Sequence, residues 1–290
     1  MPILEVRGVS FAYKGGTPGK YALKDINLSV EKNMITGIIG HTGSGKSTLV
    51  QMFNGLLKPD SGQILIDGKD IWSNDIKIRD VRFRVGLVMQ YPEYQLFADT
   101  VEADISYGPG NMGMTPDEIS KAVKRAAGFV NLDESLLKKS PFDLSGGQKR
   151  RVALAGVIAM GPDVLVLDEP AAGLDPAGRR EILGKIKDFQ RTSGTTVIIV
   201  SHSMEDMAMY CDRVAVLSKG QLAFEGTTPE VFGKSDELLK VGLDIPEITR
   251  LAAKIDEKDI GIGKDVYTVK YAYEKIKERL KTMKGGVSNE

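Results

Sequence analysis

Short, almost uninterrupted apolar runs are the clearest feature of the hydrophobic pattern of this chain. They are Met34–Ile39, Val85–Met89, Val164–Leu167 and Val197–Val200. A strand covered on both faces needs such a run, because neither set of alternate side chains meets water. The first run precedes a glycine-rich turn and the helix-favouring stretch Ser47–Leu57. The pattern predicts an α/β fold with a mostly parallel sheet at its core.

Two other segments show a strand pattern of a different kind. Residues 1–33 and 60–72 contain alternating stretches, such as Gly62–Asp67, between turns rich in Gly, Asp and Asn. Alternation of this kind is typical of strands with one face on a core and the other in water. We therefore predict a smaller antiparallel β subdomain.

Helical periodicity dominates two further regions. Between about residues 99 and 161 we predict a helical insertion, in which Thr115 caps a helix and a second helix runs from about Gly147 to Met160. The chain becomes rich in Lys and Glu after about Thr228, and apolar residues recur at helical spacing over Thr268–Met283. The apolar positions of this amphipathic helix are Val269, Ala272, Tyr273, Ile276, Leu280 and Met283.

Composition and charge narrow the class of protein. Of 290 residues, 42% are hydrophobic and 27% charged, as in ordinary globular proteins. Lys plus Arg and Asp plus Glu both number 39, so the zero net charge argues against bulk electrostatic binding to nucleic acid or anionic lipid. The single cysteine, Cys211, excludes an intrachain disulfide. We see no signal peptide and no apolar run long enough to span a bilayer, so a role at a membrane requires a partner.

The turn after the first apolar run matches G-x-x-x-x-G-K-[ST] and lies between a strand and a helix, the context that this phosphate-binding motif requires. Its glycines let backbone N–H groups point inward at an anion, and the following helix adds the partial positive charge of its N-terminus. Lysine reaches the β- and γ-phosphates, and the serine hydroxyl can bind Mg²⁺. The nucleotide-binding residues predicted here are Gly40, His41, Thr42, Gly43, Ser44, Gly45, Lys46, Ser47 and Thr48.

Two carboxylates follow the third apolar run, at the end of a predicted buried strand. Ligands of open α/β sheets bind at this edge. We predict that Asp168 holds Mg²⁺ and that Glu169 positions and polarises the attacking water, as hydrolysis of a phosphoanhydride requires. A strand that merely ends in a polar loop is the alternative interpretation of this pair taken alone.

A second anion cradle is predicted at Ser145, Gly146, Gly147 and Gln148, where a hydroxyl and bare N–H groups stand at a helix N-terminus. One chain does not need two phosphate cradles for one nucleotide. We therefore expect the second cradle to close over ATP held by another subunit in a head-to-tail pair.

Together these motifs resemble those of ABC ATPases, and the resemblance extends over about residues 1–228. It implies a RecA-like P-loop core with an antiparallel β subdomain and a helical insertion. It also implies roles for four more residues: Gln90 senses Mg²⁺ and the attacking water, Asp175 lies in a loop at the dimer interface, His202 contacts the γ-phosphate and Tyr13 stacks on adenine. Without the resemblance, Tyr13 is more simply a strand residue and His202 a loop residue.

The segment Met89–Phe97 is similar to that of the ATPases of energy-coupling factor (ECF) transporters, which import vitamins and, in related systems, cobalt or nickel. Thr228–Phe232 and the tail support the same group, and the variant Tyr91–Gln95 resembles the second of two paired ATPases. The resemblance implies that residues 229–290 help to hold two ATPases together. It also implies an integral-membrane scaffold, a substrate-binding membrane subunit, and a peripheral location on the cytoplasmic side of the cell membrane.

The apolar side chains Tyr91, Tyr94, Leu96 and Phe97 suit a groove that accepts a partner helix, or packing inside the helical insertion. Three alternatives to an ECF subunit are an ATPase of another ABC importer or exporter, a soluble ABC ATPase acting on nucleic acid or ribosomes, and a protein that uses ATP only as a switch. One ATPase unit, zero net charge and the intact set of motif residues argue against the last two.

Overall fold

The computed structural model of the protein describes residues 2–15, 21–256, 262–263 and 265–285. The strands are β1 (Pro2–Phe11), β2 (Leu23–Glu31), β3 (Ile35–Ile39), β4 (Ser61–Ile66), β5 (Lys69–Asp70), β6 (Val85–Val88), β7 (Val164–Asp168), β8 (Thr196–Val200), β9 (Arg213–Ser218) and β10 (Gln221–Thr227).

The α-helices are α1 (Lys46–Phe53), α2 (Ile78–Arg84), α3 (Val101–Asn111), α4 (Pro116–Phe129), α5 (Gly146–Ala159), α6 (Pro176–Ser193), α7 (Met204–Tyr210), α8 (Thr228–Phe232), α9 (Ser235–Lys240), α10 (Glu247–Asp256) and α11 (Val269–Gly285). Short 3₁₀ helices lie at Pro92–Gln95, Glu134–Leu136 and Pro141–Asp143.

A six-stranded sheet in the order β10-β9-β3-β8-β7-β6 forms the centre of the fold. All its neighbouring strands pair in parallel except β9 and β10, which form an antiparallel hairpin at one edge. The predicted mostly parallel core is confirmed. Because parallel strands all end on the same side, the loops that leave β3, β6, β7 and β8 emerge at one edge of this sheet.

Alternate residues of the central strands face two different hydrophobic cores. Val164 and Val166 of β7 belong to the core shared with α1 and the antiparallel sheet. Leu165 and Leu167 belong to the core on the opposite face, shared with α5 and α6. All four side chains are fully buried. Water meets neither face of β7, and this explains the uninterrupted apolar run in its sequence.

The predicted antiparallel subdomain is also confirmed. Its four strands lie in the order β2-β1-β4-β5, and each neighbouring pair is antiparallel. Leu4, Val6 and Val9 of β1 are buried in the same core as α1, and a register shift between Val6 and Val9 interrupts the alternation of the strand. The smaller sheet thus covers α1 and one face of the central sheet.

The helical insertion consists of α3, α4 and α5 between β6 and β7. Thr115 caps α4 as predicted: its hydroxyl accepts a hydrogen bond from the Glu118 N–H, and the Glu118 carboxylate accepts one from the Thr115 N–H at 2.8 Å. Ser145 and Gln148 form the same reciprocal arrangement at the start of α5. The N-terminus of α5 is therefore fixed by its own first turn.

The predicted helix Ser47–Leu57 is wrong at its end, because α1 stops at Phe53. Gly55 adopts a left-handed φ of 69°, and its N–H donates to the Met52 carbonyl. The Leu56 N–H donates to the Gln51 carbonyl at 2.9 Å. These two bonds form a Schellman motif, for which glycine is the preferred residue just beyond a helix.

Every described element after β10 is helical. Of the apolar positions predicted for the last amphipathic helix, only Ala272 is buried, whereas Val269, Tyr273, Ile276 and Leu280 are exposed on α11. The side chain of Met283 lies outside the described residues. None of the described helices has the length and apolar character needed to cross a membrane. The division into residues 1–228 and 229–290 stays a prediction.

Candidate functional site

The predicted site residues converge because four parallel strands end side by side. Ile38 of β3 and Asp168 of β7 both lie opposite Val200 of β8, and Leu167 lies opposite Val88 of β6. The phosphate loop begins at the end of β3, Asp168 is itself the last residue of β7, and Glu169, Gln90 and His202 lie within two residues of their strand ends. Residues far apart in the sequence therefore share one cleft at the carboxyl edge of the sheet.

The phosphate loop turns sharply between β3 and α1. Gly43 and Gly45 have φ values of 78° and 102°, which lie in the region that favours glycine. A Cβ atom on Gly45 would lie 2.7 Å from the carbonyl oxygen of Ala22, the residue before β2. There is therefore no room for a side chain at this position. The two glycines allow the loop to curl so that α1 begins at Lys46 with its N-terminus toward the cleft.

Lys46 is half-buried at the start of α1. Its Nζ donates to the carbonyl oxygens of Gly40 at 2.6 Å and His41 at 3.1 Å. Burial lowers the pKa of the Lys46 ammonium below its ordinary value, while the negative charges of Glu169 and Asp168 oppose this shift. The lysine is thus held across the loop, with two carboxylates close enough to favour its charged form.

Asp168 ends β7 and is only 6% exposed. Its burial is the main reason that the pKa of its carboxyl lies above the ordinary value, and a hydrogen bond from Ser47 and the charge of Lys46 oppose this rise. The Ser47 hydroxyl, on the first turn of α1, therefore meets the carboxylate at the end of β7. This contact joins two of the predicted metal ligands.

Glu169 follows in a left-handed conformation with a φ of 51°, which is unusual for a residue with a side chain. Its N–H donates to the Val200 carbonyl at 2.9 Å, so the turn is tied to the end of β8. The Glu169 Oε1 atom lies 2.9 Å from His202 Nδ1. Two side chains from neighbouring strand ends thus meet directly, a contact that the sequence prediction of both residues at the nucleotide site did not include.

One cleft collects most of the predicted nucleotide, metal and catalytic residues. Its lining is Thr42, Gly43, Gly45, Lys46, Ser47, Thr48, Gln90, Asp168, Glu169 and His202. Tyr13 lies beside it and shares a hydrogen bond of 3.0 Å with the Thr48 hydroxyl. Tyr13 is 52% exposed, and its ring meets the Phe11 ring in a T-shaped arrangement at 5.0 Å. It is therefore available for stacking, and its predicted contact with adenine stays a prediction.

The second predicted cradle is not part of this cleft. Ser145, Gly146 and Gly147 are exposed at the N-terminus of α5, and the Ser145 hydroxyl accepts from the Gln148 N–H at 3.3 Å. Asp175 is exposed as well and caps α6 through the Gly178 N–H at 2.8 Å. In the single chain this second set of motif residues lies outside the cleft, and the expected head-to-tail pair stays a prediction.

The turn between β9 and β10 is hydrogen-bonded to the phosphate loop, a contact that the sequence did not predict. The turn between β9 and β10 contains Lys219 and Gly220, both with positive φ. The Gly220 N–H donates to the Ser44 carbonyl at 3.1 Å, and its carbonyl accepts from the Lys24 N–H at 2.7 Å. A glycine in a two-residue connection suits a hairpin turn with positive φ, but only the tertiary structure places that turn against the loop.

A groove lies between α2, α3 and α5, and Gln95, Leu96 and Phe97 form part of its lining. Its apolar lining includes Phe83, Leu96, Phe97, Tyr107, Val157 and Met160. Phe97 and Tyr107 are both more than half exposed, and their rings meet edge to face at 4.9 Å. Of the four apolar residues singled out in this segment, Leu96 and Phe97 line the groove, whereas Tyr91 and Tyr94 do not belong to its lining.

The parallel sheet, its phosphate loop and the acidic strand end define a P-loop nucleotide-binding protein. The family described as ABC transporter matches residues 23–172. Relatives named Energy-coupling factor transporter ATP-binding protein EcfA2 are 50% identical in Caldanaerobacter subterraneus subsp. tengcongensis, over 98% of this chain and 99% of the relative, and in Clostridium acetobutylicum, over 98% and 100%.

Solved structures agree with these relatives. The cbiO1 protein from Clostridium perfringens, part of the ABC transporter complex cbiONQ, is 43% identical with a TM-score of 0.73, covering 86% of this chain and 98% of that one. The ATP-binding cassette MJ0796, solved as a dimer bound to ADP and Pi, is 27% identical with a TM-score of 0.69, covering 78% and 98%. The chain belongs to the ABC transporter family and, within it, to the ATP-binding proteins of energy-coupling factor transporters.

The shape of the phosphate loop gives a first prediction. Replacing Gly45 by Ala places a methyl group 2.7 Å from the Ala22 carbonyl oxygen and forces a left-handed φ on alanine, which costs about 1–2 kcal/mol before the clash. We expect Gly45→Ala to weaken the binding of a fluorescent ATP analogue by at least about tenfold. Gly110→Ala, in α3 where a Cβ meets nothing within 4 Å, is the matched control. Unchanged affinity in Gly45→Ala would contradict this account of the loop.

Proposed function

We propose that this chain is the ATP-binding and ATP-hydrolysing subunit of an energy-coupling factor transporter, and that it powers import of vitamins or transition-metal ions through a membrane partner. The proposal rests chiefly on the cleft that gathers Lys46, Gln90, Asp168, Glu169 and His202 at one edge of the sheet. Half of the residues are shared with named ECF relatives over nearly the full chain, and this favours the ECF type over another ABC importer or exporter.

In the proposed reaction, ATP binds with its phosphates against the loop N–H groups and Lys46, and the Tyr13 ring covers the adenine. The water oxygen bonds to the γ-phosphorus while the bond from that phosphorus to the β-phosphate oxygen breaks and ADP leaves, and Glu169, whose carboxylate lines the cleft beside His202, accepts the proton of the water. His202 contacts the γ-phosphate, where its ring N–H stabilises the charge that the departing phosphate carries. Gln90 orients the water from the neighbouring strand end.

Mg²⁺ fits the residues present at this site. Hard cations prefer oxygen ligands, and the Ser47 hydroxyl, the Asp168 carboxylate and the Gln90 amide oxygen all line the same cleft. When bound, the ion neutralises charge on the β- and γ-phosphates. The Ser47 hydroxyl hydrogen-bonds to the buried Asp168 carboxylate, so the fold of the chain itself brings two of these oxygen ligands together.

We propose further that two ATPase subunits, either identical copies or sister proteins, close over shared ATP. Ser145, Gly146, Gly147, Gln148 and Asp175 of each subunit would meet the nucleotide site of the other. This proposal is supported by the outward-facing N-terminus of α5 and by the dimeric structure of MJ0796. ATP phosphates satisfy N–H donors of both subunits at once, and their loss after hydrolysis reopens the pair.

The proposed location is peripheral, on the cytoplasmic side of the cell membrane. An integral-membrane scaffold protein would insert a helix into the groove at Phe97 and Tyr107, and a substrate-binding membrane subunit would complete the complex. Support comes from the exposed aromatic lining of the groove and from the complex that contains cbiO1. With zero net charge, nucleic acid is not proposed as a partner.

The role of Glu169 is tested by Glu169→Gln, which keeps the size of the side chain but removes the base. General bases contribute about 10²–10⁴-fold to catalysed rates. We therefore expect phosphate release to fall at least about a hundredfold while ATP binding is retained and the closed dimer accumulates. Glu134→Gln, an exposed glutamate in the helical insertion, is the control.

Turnover at the wild-type rate in Glu169→Gln would remove Glu169 from the proposed role. The same assay in the presence of EDTA tests the metal. Undiminished phosphate release by the wild-type protein without free divalent cations would contradict the proposed Mg²⁺ site.

The groove is tested by placing a charge on its exposed rim. Phe97→Asp exchanges an aromatic side chain that is 59% exposed for a carboxylate, which a docked apolar helix would have to desolvate. We expect affinity purification from membranes to recover at least about tenfold less integral-membrane partner with Phe97→Asp, corresponding to about 1.4 kcal/mol of binding. Leu56→Asp, an equally apolar and 48% exposed position outside the groove lining, should recover the wild-type amount. Equal recovery with both variants would exclude this groove as the docking site.

We propose that residues 229–290 help to hold the two ATPases together. The exposed apolar residues of α11 recur at i, i+4, i+7 and i+11, which places them on one face of the helix. These residues are Val269, Tyr273, Ile276 and Leu280, between 36% and 71% exposed. An apolar stripe of this kind is unfavourable in water unless another surface covers it.

Tyr273→Asp should therefore lower the fraction of nucleotide-free dimer measured by analytical ultracentrifugation. Replacing one anchor of such a face typically weakens association by more than about 1 kcal/mol, or roughly fivefold in the dissociation constant. Lys270→Ala, which changes an exposed polar residue on the same helix, should leave the dimer unchanged. A dimer fraction that is identical in Tyr273→Asp and wild type would argue against this role for the extension.

A further inference from the structure

A buried arginine in α5 contacts two other parts of the chain at once. Arg150 is 8% exposed and lies in the second turn of α5, just beyond Ser145–Gln148 at the N-terminus of that helix. Its guanidinium donates through Nη2 and Nε to the two carboxylate oxygens of Glu93, at 3.2 Å and 3.4 Å. Its Nη1 donates to the Ala172 carbonyl oxygen at 2.5 Å. The planar guanidinium thus uses three of its donor nitrogens, two toward Glu93 and one toward Ala172.

The partners of Arg150 lie in segments that carry proposed site residues. Glu93 lies in the 3₁₀ helix Pro92–Gln95, which follows Gln90 closely in the chain. Ala172 lies in the loop between Glu169 and Asp175, and its N–H donates to the Glu169 carbonyl at 3.1 Å. One guanidinium therefore contacts the Gln90 segment and the Glu169–Asp175 loop from the helix whose N-terminus carries the second cradle.

Arg150 is buried and Glu93 is largely buried, so removing either side chain would leave the other as a charge shielded from water without its partner. The Glu93 side chain is only 17% exposed, so both partners of the ion pair are largely removed from water. A buried charge without a partner is strongly unfavourable, and a two-point arginine–carboxylate pair fixes the relative orientation of both groups. The neighbouring Arg151 differs, because it pairs with Glu181 of α6 at 3.0 Å with both side chains about a third exposed or more.

We propose that Arg150 is a positioning residue, which through Glu93 and Ala172 holds the Gln90 segment and the Glu169–Asp175 loop in fixed register with the start of α5. The inference rests on the proposed function. In the proposed dimer, Gln90 and Glu169 act on ATP bound by their own subunit, whereas Ser145–Gln148 and Asp175 meet ATP bound by the partner. The same guanidinium therefore links the chain's contributions to both composite sites.

This role predicts a specific pattern of kinetic losses in the full-length protein, purified in complex with its membrane partners. Glu93→Gln removes the charge of the pair but keeps its size, and it should lower kcat for ATP by about tenfold, which is about 1.4 kcal/mol in barrier height. KM for ATP should stay within about twofold, because the phosphate loop is untouched. A loss of general stability would not produce such a split between kcat and KM.

A double-mutant cycle tests whether Glu93 acts through Arg150. Arg150→Met should lower kcat at least as much as Glu93→Gln, because it also removes the bond to Ala172. In the double variant, Glu93→Gln should add less than about a twofold further loss, since the interaction is already absent. Arg150→Lys keeps the charge without the planar fork, and it should restore part of the kcat lost in Arg150→Met.

Glu181→Gln is the matched control, because it removes the carboxylate from the arginine pair next to Arg150 on the same helix. Its kcat should remain within about twofold of the wild-type value. The inference is overturned by full kcat in a folded Glu93→Gln protein, by losses that simply multiply in the double variant, or by KM rising as much as kcat falls. If Arg150→Met does not fold, Glu93→Gln in the wild-type and Arg150→Lys backgrounds decides by the same comparison.

The outcomes separate this inference from the proposed function. A wild-type complex that releases no phosphate would refute the proposed function itself. A wild-type complex that hydrolyses ATP and a Glu93→Gln complex that does so equally well would refute only the role of Arg150.

Discussion

Parallel pairing of β3, β8, β7 and β6 is the constraint on which the site depends. Each of these strands ends in a loop with a chemical group, and the parallel register brings the loops to one edge of the sheet. An antiparallel neighbour would place its loop at the opposite edge, about five residues of strand away. The distance of 2.9 Å between Glu169 and His202 is a direct consequence of this pairing.

Burial on both faces keeps that sheet in register. The alternate residues of β7 enter two separate cores, so a shift by one residue would exchange their two layers and move the buried Asp168. The antiparallel sheet and the helical insertion are thus more than decoration, because each supplies the core on one face. The same insertion carries the predicted second cradle and the groove proposed for a membrane partner, so both proposed contacts lie on one layer of helices.

Packing restricts which residue can stand at two positions, Gly45 of the phosphate loop and Arg150 of α5. The loop needs glycine at position 45 because a methyl group there would lie 2.7 Å from the Ala22 carbonyl oxygen. The β9–β10 turn also holds the loop, since the Gly220 N–H donates to the Ser44 carbonyl. Arg150 is always charged and lies buried, so it is stable there only with polar partners for its guanidinium. Its partners happen to be segments with motif residues, and this turns a packing requirement into a mechanical link between them.

The sequence by itself determined the fold class, the phosphate loop, the acidic strand end and the cap of α4 at Thr115, because these depend on local periodicity and on residue types at fixed spacing. It placed the end of α1 wrongly, since two backbone hydrogen bonds around Gly55 outweigh the helical preference of the next residues. Only the tertiary structure decided that Leu96 and Phe97 line a groove, that the apolar stripe of α11 stays exposed, and that Glu93 meets Arg150. These contacts join residues distant in the chain, and no local pattern encodes which surfaces will meet.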